Sequence, residues 1–274
     1  MTSTSIRSSA QIEARQRRWA TGRECDPARP TYLTSVDGNL FGGRISVETR
    51  GEFDKGDGSE MRDTKSRPAK MRALLSSSAL GVNFFDPWRT GALDTLGRAL
   101  GLNGARSLQF EFKPKGYPVG PRSPNLDVLI TLADGSAAAV ECKFGEPFRG
   151  SAKAGFSQKY FPTGKDLWAA VGLDRCQALA RATEHPRYLD VPQLLKHMLG
   201  LAHADIRHLV YLWYDTGLAD AAAHRAEVDA FAAVVAGDSV AFSSATYQQV
   251  FAALDPDIEP VPGWREYMLD RYFA

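Results

Sequence analysis

The chain has 274 residues, 44% of them apolar and 24% charged, with a formal net charge of +1. That is enough to bury a sizeable core, and it lacks the overall basic excess of a typical polyanion-binding surface. No apolar run reaches transmembrane length, the Ser/Thr-rich start lacks the apolar stretch of a secretory signal, and Cys25, Cys142 and Cys176 are odd in number without zinc-ligand spacing, which points to reduced thiols in a cytoplasmic protein.

In chain order, residues 1 to 8 read as disordered, and Ser9 stands where it would cap a short helix through Trp19 before Gly22, Pro27 and Pro30 break the pattern. The stretch to Pro68 is weakly periodic, with a short strand expected at Arg44 to Thr49. We read residues 1–68 as an N-terminal extension, partly irregular and basic, and residues 69–274 as the compact domain with a C-terminal helical elaboration. Pro68 stands near the start of a predicted helix with Met71, Leu74, Leu75, Ala79 and Val82 at helical spacing. A second follows Thr90, with Leu93, Leu96 and Leu100 on its apolar face and Gly101 as a stop.

Three strand-like segments come next: Ser107 to Lys113, Asn125 to Leu132 and Ala137 to Phe144. Gly145 to Gly164 reads as loop, followed by helices at Asp174 to Ala182 and at Val191 to His203, the latter opening with Pro192. His208 to Tyr214 reads as a core strand and Ala219 to Val235 as a helix, with further helices at Ala245 to Leu254 and Gly263 to Tyr272. Strands interleaved with helices in this way predict an α/β fold with a mixed central sheet flanked by helices.

Chemistry concentrates on the second and third strands. If Ala133-Asp134-Gly135 is a three-residue turn with Gly135 in the left-handed region, Leu132 pairs with Ser136, and counting back pairs Asp127 with Glu141. Lys143, two residues on, shares the face of Glu141, while Leu126, Val128, Ile130, Val140 and Cys142 fill the other. A two-residue turn would split the pair. Clustered charges on a half-buried hairpin are costly to desolvate unless partnered or ligating a metal. Two carboxylates with a backbone carbonyl, such as that of Cys142, suit Mg²⁺, for which Mn²⁺ would substitute.

These residues resemble the PD-(D/E)xK nuclease superfamily, with Asp127 as the first acid and Glu141-Cys142-Lys143 as the E-x-K. The flanking segments Ser77-Ser78-Ala79-Leu80, Val82-Asn83-Phe84-Phe85, Phe110-Glu111, Asn125-Leu126-Asp127-Val128 and Tyr211-Leu212-Trp213-Tyr214-Asp215 are similar to a bacterial branch of restriction-endonuclease-like proteins. Asn125-Leu126 stands where the motif's Pro-Asp is the pattern, with Pro124 just upstream. The resemblance implies a restriction-endonuclease-like core of a helix, a three-strand meander, a helix and a strand. It also implies an Mg²⁺-dependent endonuclease acting on DNA, with Asp127 and Glu141 as metal ligands and Lys143 assisting the attacking water. Glu111 is the expected upstream acid, with Glu60 as a weaker choice. Gln177 and Gln193 are the candidate auxiliary residues on later helices. Cutting both strands with one site per chain would call for two copies, hence a homodimer. The alternative is a catalytically silent nuclease-like module that binds DNA or protein.

Lys153, Lys159 and Lys165, interleaved with Phe156, Tyr160 and Phe161, form either a nucleic-acid groove or a packed lid. The five histidines show no metal-ligand spacing, and Trp88, Trp168, Trp213 and Trp264 read as core anchors.

Overall fold

A computed structural model describes residues 7–56, 60–120, 123–150 and 155–273. Most of the segment expected to be disordered, residues 1–6, and Lys153 lie outside the described residues. The first elements are α1 (Ser8–Trp19), a two-strand ribbon of β1 (Cys25–Asp26) and β2 (Arg29–Leu33), and α2 (Val47–Asp54). Then come α3 (Ser77–Phe85), α4 (Leu93–Ala99), β3 (Ala105–Phe112), β4 (Leu126–Leu132) and β5 (Ala137–Lys143). The chain continues through α5 (Asp174–Ala180), α6 (Val191–His203), β6 (His208–Trp213), α7 (Ala219–Val235), β7 (Ala241–Thr246), α8 (Tyr247–Ala253) and α9 (Trp264–Met268).

Strands β3 to β7 form one five-stranded sheet in sequence order. β3-β4-β5 is an antiparallel meander, and β6 and β7 join in parallel, each after a helical crossover. This is the mixed sheet the element order predicts. The β4–β5 turn is the odd one the register requires: Leu132 N–H donates to Ser136 O at 2.8 Å, Gly135 has φ +86°, and Asp134 Oδ1 accepts from Ser136 N–H at 2.9 Å.

Three expectations change. Arg44 to Thr49 is not a strand: Ser46 caps α2, its hydroxyl accepting from Thr49 N–H, and Asp86 accepts from both the N–H and the hydroxyl of Ser46. The helix expected from Pro68 begins at Ser77, where Ser76 caps it, with only a short 3₁₀ turn at Lys70–Arg72 before it. The start of the helix expected at Ala245 is the end of β7, and Thr246 with Gln249 forms a reciprocal capping box that starts α8 at Tyr247. Ala241-Phe242-Ser243-Ser244-Ala245-Thr246 has one large apolar side chain, so no alternation marks it as a strand. Pairing with the buried β6 decides it.

Described residues before residue 69 contribute to the core. Ile12, Leu40 and Phe53 belong to the same buried cluster as Val128, Val140 and Leu212. Arg271, fully buried, donates to Gln16 Oε1 at 3.0 Å and to Asn39 O at 2.8 Å, and lies 3.7 Å from the Trp19 ring centroid. α2 also blunts the edge strand β3: Glu52 accepts from Phe110 N–H at 2.8 Å, while Arg89 donates to Leu108 O at 2.8 Å. Deleting residues 1–19 leaves a buried guanidinium short of partners, a loss of about 3–5 kcal/mol. Thermal denaturation of the truncated chain is expected to show a strongly lowered midpoint; an unchanged midpoint would mean that α1 is a dispensable extension after all.

Candidate active site

Glu111, Asp127 and Glu141 form a row across three adjacent strands. β3 sets Phe110 opposite Val128 and Phe112 opposite Leu126, which places Glu111 opposite Asp127. β4 sets Val128 opposite Val140, and continuing that register places Asp127 opposite Glu141. Lys143 shares the face, its ammonium donating to Glu141 Oε1 at 2.5 Å. Cys142, expected to offer its carbonyl, is tied into the row through its N–H, which donates to Asp127 Oδ2 at 2.7 Å.

Glu111 has φ +55°, a left-handed backbone uncommon for any residue but glycine and costing about 1–3 kcal/mol. Its carboxylate accepts from the Asn125 amide. Gly56, just beyond α2, lies so close that a Cβ there would stand 2.9 Å from Glu111 Oε2. Phe53 of α2 and Ser77, Ser78 and Gly81 of α3 wall a small cleft that Glu111, Asp127 and Cys142 also line. The supposed extension therefore helps to build the site.

The electrostatics are those of crowded acids. Burial, with Asp127 and Glu60 adding repulsion, pushes the Glu111 carboxyl up to about 7 against the Asn125 hydrogen bond and the Lys70 charge. Burial and then the Glu141 charge raise Asp127 well above its ordinary value, and burial raises Glu141 although Lys143 opposes it. Burial disfavours the charge on Lys143, but Glu141, Asp127 and Glu146 outweigh it and hold the ammonium protonated. A cation placed near the row would offset the repulsion among these carboxylates.

Two buried acceptors in this group, Glu141 Oε2 and Asn125 Oδ1, have no hydrogen-bond partner among the described residues. No three His, Cys, Asp or Glu side chains among the described residues converge tightly enough to hold a metal by themselves. The donor set is nonetheless hard oxygen with two or three carboxylates, which fits Mg²⁺, an ion that keeps several of its waters.

The remaining candidates are placed as follows. Glu60 bonds Lys70 at 2.6 Å and Ser78 at 3.0 Å, and is near enough to raise Glu111. Gln177 donates to Asp166 at 2.9 Å on the exposed side of α5. Gln193 lies in the first turn of α6, where its N–H donates to the capping Asp190 at 3.0 Å. Phe156, Tyr160, Phe161 and Trp168 pack edge to face or stacked on one another, with Lys196 over Phe156 and Tyr160. Trp88, Trp168, Trp213 and Trp264 are fully buried.

The sequence sets His197 aside with the other histidines for want of metal-ligand spacing. It is buried on α6, with Nδ1 3.4 Å from Glu141 Oε2, and burial followed by the nearby Lys143 charge pushes its pKa down to about 3. The available signal was its place on the inner face of an apolar helix, beside Leu194 and Leu201 at spacings of three and four.

A family model described as restriction endonuclease associating with ARP matches residues 27–273. Neither a curated protein nor a solved structure matches the chain.

Proposed function

Because the chain belongs to the family of restriction endonucleases associating with ARP, a nuclease family, we propose that it is an Mg²⁺-dependent endonuclease of the PD-(D/E)xK type that hydrolyses phosphodiester bonds in DNA. The observation that carries this reading is the cross-strand row Glu111–Asp127–Glu141 with Lys143 paired at its end.

Asp127 and Glu141 would hold the cation, with Glu111 beside them and the Cys142 carbonyl as the backbone donor. Mg²⁺ bound there would polarise a phosphoryl oxygen and lower the pKa of the attacking water. Lys143 presents an ammonium whose N–H donors orient that water or meet the charge that builds on the phosphoryl group. Its bond to Glu141 holds the ammonium beside a carboxylate that would bind the cation, where preorganised charge would act on the reacting phosphate. Asn125 holds Glu111 on the cleft side of the edge strand. Among the described residues no helix is long and apolar enough to cross a membrane. Cleavage of both strands of a duplex would use two copies of the chain.

The test is cleavage of plasmid, linear duplex, single-stranded DNA and RNA by the purified protein with Mg²⁺ or Mn²⁺, beside calorimetric titration with Mn²⁺. Metal-dependent cutting of DNA is expected. Folded protein with no Mn²⁺ binding that depends on Asp127 and Glu141 would instead favour a silent nuclease-like module.

A further inference from the structure

His197 and Glu141 present to each other the two atoms that the rest of the site leaves unused. Glu141 Oε1 is taken by the Lys143 ammonium at 2.5 Å, whereas Glu141 Oε2 has no hydrogen-bond partner among the described residues. His197 Nδ1, likewise without one, stands 3.4 Å away, and both side chains are at least nine-tenths buried. Leaving a buried donor or acceptor unmet costs about 1–3 kcal/mol, so two such atoms facing each other call for an explanation. Closing the gap by about half an ångström would bring them to ordinary hydrogen-bond distance.

Simple packing does not require a histidine here. The inner face of α6 is otherwise Leu194, Leu195, Met198 and Leu201, all fully buried, and another aliphatic residue would fill the space without stranding a ring nitrogen. The helix that carries it is firmly anchored, with Asp190 capping its first turn and Pro192 at its start. The imidazole is thus held at fixed range from the strand that bears Glu141.

We propose that His197 is a positioning residue for Glu141: its Nδ1–H donates to Oε2 and, with Lys143 on Oε1, fixes the plane of the carboxylate in the orientation that serves the divalent cation. This rests on the metal-dependent nuclease reading. Partners of a ligating group commonly account for about 10–100-fold in metal affinity, because they remove the freedom the ligand would lose on binding.

The experiment is Mn²⁺ titration by calorimetry of wild type, His197→Ala, His197→Asn and His197→Gln, each with a thermal melt, and with Glu141→Gln as the control for the site. Asn places its amide N–H near the position of Nδ1, whereas Gln carries its own nearer to Nε2. The expected result is a loss of about tenfold or more in Mn²⁺ affinity for His197→Ala, recovery in His197→Asn and none in His197→Gln. Wild-type affinity in a folded His197→Ala protein, or no recovery in a folded His197→Asn protein, would overturn the proposal while leaving the nuclease reading in place. If His197→Ala does not fold, the contrast between Asn and Gln decides. Wild type that binds no Mn²⁺ through Asp127 and Glu141 would instead overturn the nuclease reading itself, and the role of His197 with it.

Discussion

Asp127→Ala and Glu141→Gln are each expected to lower metal-dependent DNA cleavage by about a thousandfold or more. That factor corresponds to about 4 kcal/mol of barrier, within the several kcal/mol that a Lewis-acid cation supplies to phosphoryl transfer. Lys143→Ala is expected to cost about a hundredfold, since it removes one preorganised donor and leaves the metal in place. It also strips Glu141 Oε1 of its partner, so its melt must accompany its rate. Glu111→Gln tests the outermost acid of the row. If Glu111 is a ligand, the variant shifts the Mg²⁺ dependence of the rate, and if it only lines the cleft, the dependence stays where it is. Rates across a Mg²⁺ titration up to saturation, read as nicking of supercoiled plasmid, separate these effects, and nicking by Asp127→Ala equal to wild type would sink the assignment of the site.

Metal-free protein is expected to lose stability as pH rises through neutrality, and Mg²⁺ is expected to restore it. The Glu111 carboxyl, at about 7 in the fold against an ordinary 4.5, keeps its proton in the native state over a range where the unfolded chain has released it. Its contribution to stability is therefore complete below about 4.5 and is lost as pH rises through about 7. Asp127 and Glu141 are raised as well and act with the same sign. The exposed Asp63, Asp134 and Asp166 are lowered and act with the opposite sign. Comparison with Glu111→Gln isolates the site from them: the variant should gain on wild type from about pH 5 to about pH 7 and level off above that. Asp127→Asn is the sharper case, because it removes a like charge while its amide oxygen can still accept from Cys142 N–H. It should melt about 2–4 °C above metal-free wild type, the equivalent of about 1 kcal/mol in a domain of this size. Wild type alone should then be stabilised by added Mg²⁺, since only the state that binds the ion gains from it. A variant that loses activity while gaining stability is hard to explain by damaged folding. Melting curves across pH, with and without Mg²⁺, decide the matter.

The hairpin was legible from spacing because period-two alternation and one left-handed glycine determine which residues face each other. Asp127, Glu141 and Lys143 meet as that arithmetic requires. Glu111 needed one more strand, and the flanking phenylalanines announced its face but not its left-handed backbone. β7 was hidden because a polar edge strand is held by its neighbour's backbone, which no side-chain pattern records. α2 was hidden because its cap, Ser46, is secured by Asp86, forty residues away in the chain.

By itself, then, the sequence marked the meander and made Asp127, Glu141 and Lys143 neighbours on condition of an odd turn at Ala133-Asp134-Gly135, since alternation and turn chemistry are local; the structure supplied that turn. Only the tertiary structure decided that Ile12, Leu40 and Phe53 belong to the core, that Gly56 and Phe53 close the cleft around Glu111, and that His197 stands 3.4 Å from Glu141. Those contacts join segments distant in the chain. They are set by how whole elements pack on the two faces and the edge of the sheet, and no spacing within a single element encodes them.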